Sequence, residues 1–113
     1  MTINDYSRQA LRTLLGEHVY GEVDAKLMAQ VLGLGGESGE VLEKFKKILR
    51  DKQGRISDSD RTAIVKELGD VLWYVNAIAH LVGSDLEEVA RLNNEKLASR
   101  QRRDQLQGSG DNR

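Results

Sequence analysis

The chain has 113 residues, of which 39% are hydrophobic and 31% are charged, and its formal net charge is −1. This length suits one domain with a modest core, and the absence of cysteine excludes disulfides, thiolate catalysis and cysteine-ligated zinc. A net charge near zero argues against a nucleic-acid binder held by phosphate neutralisation. The N-terminal residues lack the features of a signal peptide and no apolar run is long enough to cross a bilayer, so we expect a cytoplasmic protein without a membrane partner.

Helical periodicity begins near the N-terminus. Asp5 can cap a first helix of about three turns, which we expect to end between Gly16 and Gly21. Asp24 can cap a second, long helix that runs towards Arg50. Glycines weaken a helix, so we expect tight packing or a kink to compensate for those inside this one: Gly33, Gly35, Gly36 and Gly39.

Two more helices are predicted in the second half of the chain. The polar segment from Asp51 to Asp60 is typical of a loop, and a third helix should start near Asp60 and end at Gly83. Ser84 to Glu87 resembles a capping box for a fourth helix, whose pattern becomes polar from about Gln101. No strand pattern is present, so the sequence predicts an all-α fold with four to five helices.

The domain prediction is one helical domain over residues 1–105 and a flexible polar tail over residues 106–113. The tail's Gly-Ser-Gly backbone, with Arg113 beside it, has the composition of a loop that could wrap a phosphate. The apolar stripes of the helices are too wide for so small a monomer to bury, so we expect a homodimer or homotetramer. The stripe of the second helix consists of Leu27, Val31, Leu34, Val41, Leu42, Phe45, Ile48 and Leu49.

Two pairs of carboxylates are the most informative feature of the chain. Glu37 and Glu40 lie three residues apart on the second helix, and Glu67 and Asp70 repeat that spacing on the third. Residues three apart share a helix face, and each pair lies about 60–130° to one side of its apolar stripe. Packing the two helices would gather four carboxylates, and their mutual repulsion favours a divalent metal site.

Further side chains beside these pairs suit a phosphate-bearing ligand with an aromatic base. Lys44 and Lys47 lie one and two turns beyond Glu40, where they could neutralise phosphate. Tyr74 follows Asp70 by four residues on the same helix face. Trp73 and Tyr74 are adjacent and are expected on different faces, with Tyr74 nearer the site and the other ring in the core or an interface.

These motifs resemble the MazG-like all-α nucleoside triphosphate pyrophosphohydrolases, whose helices carry Glu-x-x-Glu and then Glu-x-x-Asp. The segment from Gly33 to Val41 resembles the first motif, and Glu67 to Tyr74 resembles the second. The segment from Asn93 to Arg100 resembles the Asn-x-x-Lys-Leu-x-x-Arg element of the family's last helix. Many members have a second acid directly before the first glutamate of the first motif, where this chain has Gly36, so the metal set could be leaner or another acid such as Glu43 could assist.

The resemblance implies a helical bundle of the all-α NTP pyrophosphatase type, oligomeric, that hydrolyses (deoxy)nucleoside triphosphates to the monophosphate and pyrophosphate. It implies Mg²⁺, with Mn²⁺ as a substitute, on Glu37, Glu40, Glu67 and Asp70. The water-activating base would be Glu37 or Glu40, between which the sequence does not decide. The side chains expected to contact substrate are Lys44, Lys47, Tyr74, Asn93, Lys96 and Arg100.

Two alternatives remain open at this point. Sister enzymes of the same superfamily act on dUTP or phosphoribosyl-ATP, and the biological role could be nucleotide pool control or house-cleaning. A different class is a non-catalytic helical oligomerisation or regulatory module with a structural metal. The complete set of four acids disfavours that class, because a structural bundle gains nothing from clustered like charges.

Overall fold

The computed structural model describes residues 1–14, 16 and 21–103, and these ranges contain helices and no strand. The helices are α1 (Ile3–Leu11), α2 (Ala25–Lys52), α3 (Asp58–Leu81) and α4 (Leu86–Arg102). The all-α prediction is therefore confirmed. The expected tail over residues 106–113 lies outside the described residues, so the prediction made for it stays untested.

Each helix begins at a residue whose side chain accepts a hydrogen bond from the first turn. Asp24 caps α2 as expected, with its Oδ1 2.8 Å from the backbone nitrogen of Leu27. The prediction that Asp5 caps α1 was wrong, because Thr2 is the cap and Asp5 completes its capping box from inside the helix. The cap of α4 is Asp85, one residue later than the predicted box. In both cases a neighbouring polar residue satisfies the first turn better.

The C-terminal ends of α2 and α3 rely on left-handed backbone positions. Gln53 (φ 51°) and Gly54 (φ 79°) close α2, and the Gly54 N–H donates to the Ile48 carbonyl at 3.1 Å. Gly83 (φ 86°) ends α3 as predicted, because glycine adopts this conformation at little cost. Two boundaries differ from expectation. The helix α1 ends at Leu11, before the glycines expected to stop it, and α3 begins at Asp58 because Ser57 is its cap.

The long helices α2 and α3 form an antiparallel hairpin, and it is the most extensive helix contact in the described part of the chain. Its direction is evident from the pairs across it. Lys52 bonds Asp60 near the connecting loop, and Lys44 meets Glu67 further along. Gly33 faces Tyr74 further still. Residues later in α3 thus contact residues earlier in α2, as in an antiparallel pair. The helix α4 contacts α3 over a smaller area.

Little apolar surface is enclosed by this arrangement. Among the described residues the buried hydrophobic side chains are Ile48 and Ala79, each 5% exposed. Leu42 and Leu49 of the predicted α2 stripe, and Leu72 on α3, remain more than half exposed. A single copy thus leaves many of the apolar side chains exposed to solvent. The expected oligomer, which would cover them, stays a prediction. None of the described helices combines the length and the hydropathy needed to span a membrane.

Candidate metal centre

Three of the four predicted carboxylates meet across the α2–α3 hairpin. Glu37 projects from α2 towards Glu67 and Asp70 on α3, and one oxygen from each lies within 4.8 Å of the other two. The antiparallel register places them together, because the first motif of α2 faces the second motif of α3. Glu37 and Glu67 are half-buried, whereas Asp70 is exposed. We call Glu37, Glu67 and Asp70 the three-acid group.

The fourth predicted carboxylate, Glu40, lies outside this group. Its side chain is exposed, one turn beyond Glu37 on α2. It is nevertheless close enough for its charge to act on Glu37. The structure therefore brings three acids together and leaves Glu40 at the rim, in line with its larger angle from the apolar stripe.

The electrostatics of the group are unfavourable while it carries only its own charges. Desolvation is the largest cause that raises the pKa of Glu37 above its ordinary value of 4.5. Repulsion by Asp70, Glu67 and Glu40 follows, and a hydrogen bond with the Glu67 carboxyl adds to the rise. Hard carboxylate oxygens held this close are the donor set that a divalent cation such as Mg²⁺ takes, so the residues fit such an ion.

The two predicted lysines differ in their contact with the acids. Lys44 Nζ is 3.7 Å from a Glu67 carboxylate oxygen, so a positive charge borders the three-acid group directly. Both lysines also line a cavity of about 170 Å³ nearer the hairpin loop, together with Asp51 and the pair of Lys52 and Asp60. Of the two, only Lys44 contacts the acids.

Both neighbouring aromatic residues of α3 line the pocket at the acids. This pocket, about 360 Å³, is bounded by Glu37, Asp70, Trp73 and Tyr74. The rings of Trp73 and Tyr74 meet edge to face, with centroids 4.9 Å apart and planes at 82°. Trp73 thus lies beside the pocket as Tyr74 does, because large adjacent rings can lean together despite the angle of about 100° between their Cβ directions. The interface expected for one of the two rings stays a prediction. A signal was available, since Trp73 is three residues after Asp70.

The residues predicted on α4 do not line the pocket at the acids. Asn93 and Lys96 line a mostly apolar groove of about 620 Å³ between α3 and α4, which also contains Leu72 and Val75. Arg100 is only 3% exposed, so its guanidinium is enclosed rather than presented to a pocket. The contribution of these three side chains to a substrate site stays a prediction.

Comparison with known proteins identifies the family of the chain and agrees with the all-α fold. The model of the MazG nucleotide pyrophosphohydrolase domain matches residues 26–103, and the chain belongs to this family. The Gene 37 protein of Mycobacterium phage L5 is 50% identical over 82 residues, which cover 73% of this chain and 72% of that protein. No solved structure matches the chain. Membership supports nucleotide pyrophosphohydrolase activity in general, a hydrolase activity, and the family is typically dependent on a divalent metal.

Proposed function

We propose that the protein is a Mg²⁺-dependent pyrophosphohydrolase of nucleoside or deoxynucleoside triphosphates, which releases the monophosphate and pyrophosphate and serves nucleotide pool control or house-cleaning. The observation that carries the proposal is the three-acid group beside a pocket lined by two aromatic rings. Acids can hold a cation that binds phosphate, and aromatic rings suit a base. The two features occur together at one place.

In this proposal Glu37, Glu67 and Asp70 hold the cation. A bound Mg²⁺ would neutralise charge on the phosphate oxygens and on the leaving pyrophosphate, with Mn²⁺ as a substitute. Lys44, which already lies beside Glu67, adds positive charge at the edge of the group. Lys47 lies about one turn beyond Lys44 on α2 and would contact only an outer phosphate.

We assign the water-activating base to Glu40. It adjoins Glu37, is exposed, and is not one of the three acids whose oxygens converge. Its carboxylate oxygens can therefore orient an attacking water and accept its proton, while the other three hold the cation. Glu40→Gln should reduce kcat strongly and leave the Mg²⁺ concentration for half-maximal activity nearly unchanged. A large shift of the Mg²⁺ requirement would instead make Glu40 a metal ligand.

A homodimer or homotetramer forms part of the proposal. One copy leaves apolar stripes exposed, and its Asn93, Lys96 and Arg100 do not line the pocket at the acids. A second copy would cover those stripes and could place its α4 near the acids of the first. Sedimentation should show an assembly at micromolar concentration, and a monomer there would contradict this part.

The test of the proposal is a pyrophosphate-release assay over the ribo- and deoxynucleoside triphosphates, with dUTP and phosphoribosyl-ATP included. Each substrate is measured with Mg²⁺, with Mn²⁺ and with a chelator present. We expect metal-dependent release of pyrophosphate and the monophosphate. Exclusive turnover of dUTP or phosphoribosyl-ATP would identify a sister activity, and metal binding without any turnover would favour the structural module.

A further inference from the structure

The two aromatic rings that line the pocket at the acids, which we call the aromatic wall, differ in how well they are packed: Tyr74 is held in place and Trp73 is exposed to solvent. Tyr74 is half-buried against Gly33, where even a Cβ atom would overlap its ring. Trp73, the one tryptophan of the chain, is 59% exposed. An indole exposed to this degree leaves a large apolar surface in water, which is unfavourable unless a ligand or partner covers it.

The contact between the two rings also orients the indole. Tyr74 is held by the α2 backbone at Gly33 on one side and meets Trp73 nearly perpendicularly on another. An edge-to-face pair is a favoured aromatic geometry and restricts how the indole can turn. Tyr74 therefore supports the wall, whereas Trp73 offers the area on which a flat ligand could lie.

The position of this area relative to the acids fits one molecule that contacts both. Trp73 follows Asp70 by three residues on α3, so the two side chains are neighbours on the helix surface. Both line the same pocket. Phosphates at the three-acid group would thus leave the remainder of a nucleotide close to the indole.

We propose that Trp73 is the surface on which the nucleobase stacks, with Tyr74 as its support. This inference rests on the proposed function and names the side of the site that binds the base. Stacking uses the π face that every base has, so it gives affinity with little discrimination between bases. The enzyme should accordingly accept several bases, with Trp73 contributing to KM more than to kcat.

The single tryptophan makes a direct test possible, because its fluorescence reports on this position alone. Wild-type protein is titrated in Mg²⁺ with α,β-methylene ATP, which cannot be cut at the relevant bond, and in parallel with inorganic triphosphate. We expect strong quenching by the nucleotide analogue and little by inorganic triphosphate. Equal quenching by both would overturn the inference, because the signal would then come from phosphate and metal alone.

Kinetics of matched variants provide the second measurement. Trp73→Ala should raise KM for ATP about tenfold or more with a smaller change in kcat, and Trp73→Phe should recover most of the loss. Circular dichroism checks that each variant is helical.

An unchanged KM in Trp73→Ala, while the wild type remains active, would overturn the stacking role and leave the proposed function intact. An inactive wild type would overturn the proposed function itself. Blue-shifted, concentration-dependent emission that nucleotide does not quench would place Trp73 in a subunit interface and also overturn the inference.

Discussion

The same two helices face each other with opposite electrostatics at two places along the hairpin. Near the connecting loop, Lys52 Nζ lies 2.8 Å from both carboxylate oxygens of Asp60. In the middle of the hairpin, Glu37 faces Glu67 and Asp70. The pKa of Asp60 is lowered to about 2, chiefly by the hydrogen bond from Lys52 and those from Ser57. The pKa of Glu37 is raised by desolvation and then by its acidic neighbours.

This difference distinguishes the Lys52–Asp60 pair, which stabilises the fold, from the three-acid group, which suits a bound cation. At the loop end the same two helices pack with opposite charges facing each other. Helix packing therefore does not by itself explain the like charges in the middle of the hairpin. An acid in a pocket whose pKa is raised by burial and by like charges is typical of a functional site. Asp60 lies on the same helix as Glu67 and Asp70 but has a structural role. It therefore serves as an internal control for tests of the three-acid group.

The largest effect should come from Asp70→Asn, with Asp60→Asn as the matched control on the same helix. We expect Asp70→Asn to reduce pyrophosphate release by about 100-fold or more at saturating Mg²⁺, because a lost carboxylate weakens the charge stabilisation that the metal supplies. Its melting temperature without metal should be unchanged or slightly higher, since one repelling charge is gone. Asp60→Asn should retain activity. Wild-type rates in Asp70→Asn would remove this residue from the site.

Metal binding should be visible as thermal stabilisation of the wild type. A cation that binds only the folded protein adds about 2.7 kcal/mol at 100 times its dissociation constant. We therefore expect the melting temperature to rise with Mg²⁺ or Mn²⁺, and the rise to be largely lost in Glu67→Gln. Differential scanning fluorimetry with Asp51→Asn as a control for exposed acids measures this. An equal rise in all three proteins would point to nonspecific cation binding.

The sequence predicted the helices well and the site in part, for reasons that particular residues illustrate. Asp24 and Gly83 act through bonds within one turn, which short sequence patterns encode, and the faces of Glu37 and Glu67 follow from helical period. The angle of Glu40 from the apolar stripe indicated a more outward position than that of Glu37, but the distances between α2 and α3 depend on register, so the sequence did not predict which acids would meet. The contact between Trp73 and Tyr74 depends on rotamers, which spacing does not fix.

The glycines of α2 provide a sharper contrast within one helix. Gly33 lies against the ring of Tyr74, whereas Gly39 has nothing near the position of an added Cβ. The expected tight packing is thus found at Gly33 and not at Gly39. Gly33→Ala should lower the free energy of unfolding by about 1–3 kcal/mol through overpacking. Gly39→Ala should raise it by up to about 1 kcal/mol through helix propensity. Chemical denaturation compares the two, and equal effects would contradict the asymmetry.

The smallest effect concerns the pH dependence of the fold at the loop end. Because the pKa of Asp60 is about 2 in the folded chain and 3.8 ordinarily, its ionised form stabilises the fold above about pH 4, and this contribution disappears as the pH falls towards 2. Lys52 and Ser57 bond Asp60, and Lys47 and Asp51 line the same cavity. The ionisation of Asp60 therefore governs its bond with Lys52.

Melting temperatures of the wild type and Asp60→Asn, measured without metal from pH 6 to 2, isolate this contribution from those of other carboxyls. The difference should be a few degrees at pH 6, because exposed pairs contribute modestly, and should shrink between pH 4 and 2.

The melting temperature of Glu37→Gln relative to the wild type should change with pH in the opposite direction. A raised folded pKa means that ionising Glu37 costs stability as the pH rises through that pKa, so the variant should gain on the wild type towards neutral pH. Parallel pH curves for the two variants would show that the loop end and the three-acid group do not differ electrostatically.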